Sequence, residues 1–464
     1  MTILLNRAYS RLSLDSGTER AYGVCMPSHT AISDPKVAAR FYPSEELPLR
    51  GFAPRTGPKP QAFTPLENQM QNIGLSLRMG RSLWLPILAT AAFALALLPA
   101  SAQRAPGHYP HLAPPGNTPP SAGPLATNLS PKFTKKDLAK AMKLVADWQL
   151  HLLPDQAQYD WTWAALYDGF MAVPDAVAGD QYKQAMLDIG NKLEWRPGPR
   201  IMMADDQAVG QMYMEQYFIH KDPKMMEQMK ARLDEEIATP ESQYEKKPLW
   251  WWCDALFMAP PVYADMYKAT GDQKYLDFMD KQWTITTDLL YDHNKHLYSR
   301  DATYLDKHEK NGEKIFWSRG NGWVMGGLVR VLQQMPKDSP LRPKYVELFK
   351  EMSAEMLSIQ GPDGLWRPGL LDAASYPLPE LSGSAFITYA MAWGVNEGIL
   401  DKATYWPAVH KAWKGMLSHV YADGRLGSIQ PVGAAPGAFT ETSSYVYGVG
   451  AYLLAGSEIY RTAK

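Results

Sequence analysis

The chain has 464 residues, 46% of them apolar and 20% charged, with a formal net charge of −1. That is ample material for a large buried core, and the charge balance leaves no electrostatic footprint for nucleic acid or an anionic membrane surface. Fifteen Trp and 25 Tyr supply aromatic surface of the kind used both by carbohydrate sites and by large helical cores.

Residues 1–78 carry scattered Pro, Arg and Ser without helical or strand periodicity and end just before a Met. Met79-Gly80-Arg81-Ser82 then opens a charge-free run from Leu83 to Leu98, followed by Pro99-Ala100-Ser101-Ala102. A basic start, a short apolar stretch and a small-x-small end are the parts of a secretory signal peptide. The run is short for a membrane span. The reading is translation from Met79, removal of 79–102, export to the periplasm or medium, and an upstream extension (1–78) that is a mis-called start. The alternative is a cytoplasmic tail before a signal anchor. Only Cys253 of the two cysteines lies beyond the cleavage point, so the exported protein has no internal disulfide and stability must come from packing.

From Gln103 to about Ser130 the chain is rich in Pro, Gly and Ala, which predicts a flexible leader. Over 131–464 apolar residues recur with helical spacing. Asp180-Gln-Tyr-Lys, Asp222-Pro-Lys-Met and Asp272-Gln-Lys-Tyr each open an amphipathic helix, and comparable starts stand near Lys135, Pro343 and Asp401. Each is followed by a second helix richer in Gly, Ala and aromatics, over about 160–172, 205–218, 254–268, 321–334, 384–398 and 443–460. Six such hairpins predict an all-α fold, an (α/α)6 barrel with the apolar helices inside, because an open stack would need polar end caps that are absent. Short alternating stretches such as Gly364-Leu-Trp-Arg-Pro368 are expected to form minor hairpins at the mouth.

Polar residues cluster where the inner helices begin: Asp205 and Asp206, Asp254, Arg319 and Asn321, Ser382 and Ser384. In a ring of parallel inner helices these N-termini surround one cavity, which favours an anion. Helix capping explains Asp205 or Ser384. It does not explain Arg319 between Trp317 and Trp323, since a cation at a helix start opposes the dipole. A guanidinium fork in that place suits a carboxylate, and aromatic faces suit sugar rings. Asp254, between Trp250–Trp252 and Leu256-Phe257-Met258, sits where the carboxylate is penalised, as a general acid near neutrality requires. Asp205 or Asp206 would share its proton and position a water. The competing readings are Asp254 as a plain cap and Trp317 and Trp323 as ordinary core.

Other chemistries find no motif. His-Glu-x-x-His, Cys/His metal spacing and an acidic calcium loop are missing from the sequence, as are a Gly-x-Ser-x-Gly elbow and a phosphate-cradling loop.

The segments Trp-Trp-Cys-Asp-Ala-Leu-Phe-Met (251–258), Trp-Ser-Arg-Gly-Asn-Gly-Trp (317–323), Ala-Asp-Asp-Gln-Ala-Val-Gly-Gln (204–211), Glu-Leu-Ser-Gly-Ser-Ala-Phe (380–386) and Tyr-Gly-Val-Gly-Ala-Tyr-Leu-Leu-Ala-Gly-Ser-Glu (447–458) together resemble glycoside hydrolase family 105, the unsaturated rhamnogalacturonyl hydrolases. The resemblance runs in order from about residue 130 to 464 and implies an (α/α)6 barrel. The implied reaction removes a 4,5-unsaturated uronic acid from the non-reducing end of pectin oligosaccharides left by a polysaccharide lyase, by hydration of a vinyl ether without metal or cofactor. It implies Asp254 as proton donor and Asp205, five residues before Gly210, as the second acid. Trp317, Arg319 and Trp323 match substrate contacts, with the arginine on the uronate carboxylate; Tyr167 and Ser382 match further contact positions. One departure stands out: some members place a His where this chain reads Leu297-Tyr-Ser-Arg-Asp301, so the contact to the leaving sugar differs. The competing functions are an unsaturated glucuronyl hydrolase of the sister family, a non-catalytic acidic-sugar-binding protein that would not need Asp254, and a sugar epimerase, which would need histidines in the cavity.

Overall fold

A computed structural model of the chain describes residues 115–244 and 248–464. The upstream extension 1–78 and the signal segment 79–102 lie outside the described residues.

Twelve helices of eleven residues or more are present among the described residues: α1 (Lys135–His151), α2 (Trp161–Ala172), α3 (Gln181–Lys192), α4 (Gly210–His220), α5 (Lys224–Ala238), α6 (Pro260–Thr270), α7 (Lys274–Leu290), α8 (Ser318–Gln334), α9 (Arg342–Ser358), α10 (Leu381–Asn396), α11 (Lys402–Leu417) and α12 (Val446–Arg461). Odd and even helices differ in burial as the sequence pattern predicts. α1 buries one stripe, Leu138, Ala141, Met142, Val145 and Ala146, and turns Lys and Asp outward, the pattern of a helix with one wet face. In α8 every residue from Ser318 to Leu332 is buried, and in α10 every residue from Leu381 to Val395. Helices buried all round belong inside.

The even helices touch in the order α2, α4, α6, α8, α10, α12, and α12 returns to α2. This is the closed ring of an (α/α)6 barrel. Glycine makes the closing contact possible: a Cβ on Gly169 of α2 would lie 2.6 Å from the Gly450 backbone of α12, and one on Gly450 would run into the Ala165 carbonyl. Neither obstacle can swing away, because each is main chain.

Local chemistry moves three expected boundaries. The inner helix expected over 254–268 is two pieces, Ala255–Met258 and α6, because Pro260 and Pro261 cannot donate N–H groups back to the preceding turn. The one expected over 205–218 starts as a 3₁₀ turn, Ala204–Asp206, before α4. Gly364 to Pro368 is not a two-stranded hairpin. It is a turn closed by Gly361 N–H to the Leu365 carbonyl, continuing as a strap whose Pro368 carbonyl takes the Ser318 N–H. The small hairpin stands elsewhere, between β2 (Tyr291–Asp292) and β3 (Leu297–Tyr298).

The described part of the Pro/Gly-rich leader, 115–130, is held rather than free. β1 (Gly116–Asn117) pairs antiparallel with β4 (Ser444–Tyr445) ahead of α12, and the Ala126 N–H and Pro124 carbonyl bond to Val420 and Ala422.

Candidate active site

The N-termini of the inner helices meet at one end of the ring. A Cβ on Gly383 would lie 2.7 Å from the Ser318 backbone, and one on Gly320 would lie 3.0 Å from the Cys253 sulfur. The starts of α10, α8 and the Asp254 segment are therefore in contact.

Asp254 is held through its neighbours. Thr286 Oγ1 donates to the Trp250 carbonyl at 2.6 Å, the Cys253 N–H donates to the Arg300 carbonyl at 2.8 Å, and Trp252 bridges to Asp301. Its side chain makes no capping hydrogen bond to the helix it precedes, so capping does not account for it. The carboxylate is nearly buried. Burial raises its pKa, against the pull of Arg300 and then Arg319. Arg300 Nε lies 3.8 Å from Oδ2, and Cys253 Sγ is 3.5 Å away.

Asp205 and Asp206 are separated by their partners. Asp206 is buried and tied to Arg200, whose backbone N–H donates to Oδ2 at 2.6 Å and whose Nη2 donates to Oδ1 at 2.6 Å. It fixes the 198–206 loop. Asp205 makes no side-chain hydrogen bond among the described residues and keeps part of its surface open. Burial among neighbouring groups pushes its pKa up to about 7; Arg200 pulls down, and Asp254, Asp160 and Asp206 push further up. The structure thus brings Asp205, not Asp206, together with Asp254 as an untied carboxyl.

The other expected contacts fare differently. Trp317 stacks on the Arg319 guanidinium at 4.3 Å and its Nε1 donates to Gln430 Oε1 at 3.0 Å. Arg319 also lies over Tyr447 at 4.9 Å. Its two terminal nitrogens donate to the carbonyls of Gln430 and Pro431, each at 2.7 Å, and the residue is wholly buried. Its fork is occupied by backbone, leaving only Nε without a hydrogen-bond partner. Trp323 is buried against Phe257 and Phe386, at 4.8 and 4.4 Å between ring centroids, and its Nε1 is likewise unpartnered. Tyr167 is buried and donates to the Gln158 carbonyl at 2.9 Å. Ser382 donates to Glu380, whose carboxylate caps α10 through the N–H groups of Ser382 and Gly383. Tyr167 and Ser382 are therefore engaged in holding α2 and α10.

Two groups at the mouth escape sequence reasoning. Trp161, partly exposed at the start of α2, stacks on Tyr447 at 5.6 Å. Arg300 is the other, and it stands at the departure from the family pattern noted above. Among the described residues no group of three or more His, Cys, Asp or Glu side chains is arranged to hold a metal ion.

A helical barrel with two pKa-raised carboxyls and an aromatic wall at one mouth is the architecture of a carbohydrate-processing enzyme. The chain belongs to Glycosyl Hydrolase Family 88, whose model matches residues 134–463, and is a glycoside hydrolase. It is 40% identical over 339 residues to an "Unsaturated 3S-rhamnoglycuronyl hydrolase" of Formosa agariphila, covering 70% of this chain and 90% of that protein. Among solved structures, a glycosyl hydrolase family 88 protein from Bacteroides vulgatus aligns with TM-score 0.67 and 31% identity, over 71% of this chain and 99% of that one. A structure titled as a polysaccharide lyase aligns with TM-score 0.67 and 30% identity, over 70% and 97%. The resemblance to unsaturated uronyl hydrolases read from the motifs is borne out.

Proposed function

We propose that this hydrolase removes a 4,5-unsaturated uronic acid from the non-reducing end of lyase-generated oligosaccharides in which that unit is joined to rhamnose. Unsaturation between C4 and C5 erases the stereochemistry that separates galacturonic from glucuronic acid. The pectin-type (rhamnogalacturonan) source expected from the motifs and the rhamnoglycuronyl name of the relative therefore converge on one terminal unit. The observation that carries the reading is Asp254: a nearly buried carboxyl with a raised pKa and no capping role, beside an untied Asp205.

Asp254 delivers its proton to C4, and the electron pair of the C4=C5 bond forms the new C–H bond. Positive charge develops at C5 and the ring oxygen. Water adds at C5, its second proton passing to Asp205, whose pKa near neutrality suits that exchange. The resulting hemiketal opens at the C5–O bond to a ketone, and the hemiacetal left at C1 releases the leaving sugar. Trp161, stacked on the buried Tyr447, offers the partly open aromatic surface against which a sugar ring can lie.

The test is to follow the absorbance of the conjugated C4=C5 bond with unsaturated uronyl-rhamnose oligosaccharides. Hydration removes that absorbance, and in heavy water it leaves deuterium on C4 of the released keto-sugar. A lyase acting on intact polymer would instead create absorbance, and that outcome would sink the hydrolase reading. We also propose export to the periplasm or medium, on the strength of the 79–102 segment, which N-terminal sequencing from the native host checks: the protein should begin near Gln103.

A further inference from the structure

Two arginines approach Asp254, and they are not equivalent. Arg319 has both terminal nitrogens on backbone carbonyls and no exposed surface. Arg300 keeps about a fifth of its side chain exposed, at 21%. Its Nη1 donates to Asp301 Oδ2 at 2.5 Å, and Asp301 is itself anchored by the Thr303 N–H and hydroxyl at 2.8 and 2.7 Å. The guanidinium lies over the Trp251 ring at 5.3 Å. Its Nε is buried without a hydrogen-bond partner and stands 3.8 Å from Asp254, too far for a hydrogen bond.

We propose that Arg300 takes an oxyanion of the substrate beside the proton donor, and so is a specificity-determining residue of the site; this rests on the hydrolase reading above. The argument is one of placement. In an unsaturated uronate the carboxylate hangs on C5, the atom next to the one Asp254 protonates. A substrate with C4 against Asp254 carries its carboxylate to the neighbouring wall, where Arg300 is already oriented by Asp301 and Trp251. An oriented fork loses little freedom on binding. The same guanidinium chemistry would also accept a sulfate ester on the leaving sugar, and the two sources are separable by experiment.

Arg300→Gln and Arg300→Lys are assayed on four substrates: the unsaturated disaccharide as free acid and as methyl ester, each with a neutral or a sulfated leaving sugar. For Arg300→Gln we expect KM on the free acid to rise roughly tenfold or more, the value of one charge-assisted contact, and the ratio to wild type to shrink on the methyl ester. Arg300→Lys, with charge but no fork, should fall between. If the ratio follows the sulfate instead, Arg300 keeps its role and the oxyanion belongs to the leaving sugar. Removing the cation should also move the alkaline limb of kcat/KM upward, because Arg300 pulls the Asp254 pKa down; that shift places the cation beside the proton donor, and the substrate comparison tests whether it holds the oxyanion.

An equal loss on charged and neutral substrates would overturn the proposal, as would unchanged kinetics throughout. If wild-type protein leaves the absorbance of all four substrates intact, the hydrolase reading fails first and the proposal falls with it.

Discussion

Helix α8 carries Arg319 in its first turn and Arg330 eleven residues on, about 16 Å along the axis and on nearly the same face. Around each, carboxyl groups stand within an apolar wall, yet the two regions have opposite shortages. Deep in the ring, Arg330 Nη2 bonds Glu215 at 2.6 Å and lies 3.5 Å from Asp168, while its Nε donates to Gln211. The unpartnered buried atoms there are acceptors: both oxygens of Asp168 and one of Asp265. At the mouth they include the donors Arg300 Nε, Arg319 Nε and Trp323 Nε1. A surplus of acceptors is met by taking up protons, and the Asp168 pKa is accordingly pushed up to about 8, with Asp265 raised well above its usual range, in both cases chiefly by burial. A surplus of donors calls for an oxygen-rich, acidic ligand. The first is a scaffold and the second a site.

The strongest way to break this contrast is Asp254→Asn. Asn cannot deliver a proton, and no cap is lost, so turnover should fall by about 10²–10⁴ with the melting temperature nearly unchanged. Wild-type turnover in a folded variant would remove Asp254 from the chemistry.

At the deep end, Arg330→Met should leave the buried Asp168 and the partly exposed Glu215 without a counter-charge. The expected destabilisation is about 3–5 kcal/mol, read by urea unfolding, while protein that remains folded keeps its KM. A larger effect on KM than on stability would make the deep cluster part of the site.

Asp168→Asn sharpens the comparison through pH. Asp168 has a folded pKa of about 8 against an ordinary value of 3.8. Its protonated form therefore favours the fold, fully below 3.8, and that preference is lost as pH rises to about 8. The melting temperature of Asp168→Asn should fall less steeply over that window than that of wild type. Asp205, raised to about 7, has the same sign, but its substitution by Asn should lower kcat as well.

The smallest expected effect separates structural from substrate-binding serines. Ser382→Ala removes one hydroxyl from Glu380, which still accepts the N–H groups of Ser382, Gly383 and Gln430. Stability should drop by about 1 kcal/mol, with KM unchanged; a tenfold rise in KM would return Ser382 to the substrate.

The alternation of half-wet and fully apolar helices was legible in the chain because it depends only on local period. Asp254 and Arg319 were legible because each breaks a local rule, a carboxylate among tryptophans and a cation at a helix start. The partners of these residues were not. Arg319 is occupied by Gln430 and Pro431, more than a hundred residues on, and Arg300 reaches Asp254 only through the pairing of Trp252 with Asp301. The choice between Asp205 and Asp206 came from a motif and has its physical cause in Arg200. Pro260 and Pro261 split the expected helix because neither can donate an N–H to the preceding turn, a local effect that the apolar period over 254–268 masks.

The crossing of α2 and α12 at Gly169 and Gly450 governs the order of assembly. It joins positions roughly 280 residues apart, and closing so long a loop costs about 5 kcal/mol of chain entropy, so this contact should form late, after neighbouring hairpins have met. Tyr447, which lies over Arg319, sits in the first turn of α12. During synthesis, a chain released only as far as α11 holds every acidic group at the mouth but lacks the helix that completes its wall. Catalytic competence and ring closure therefore arrive in the same step.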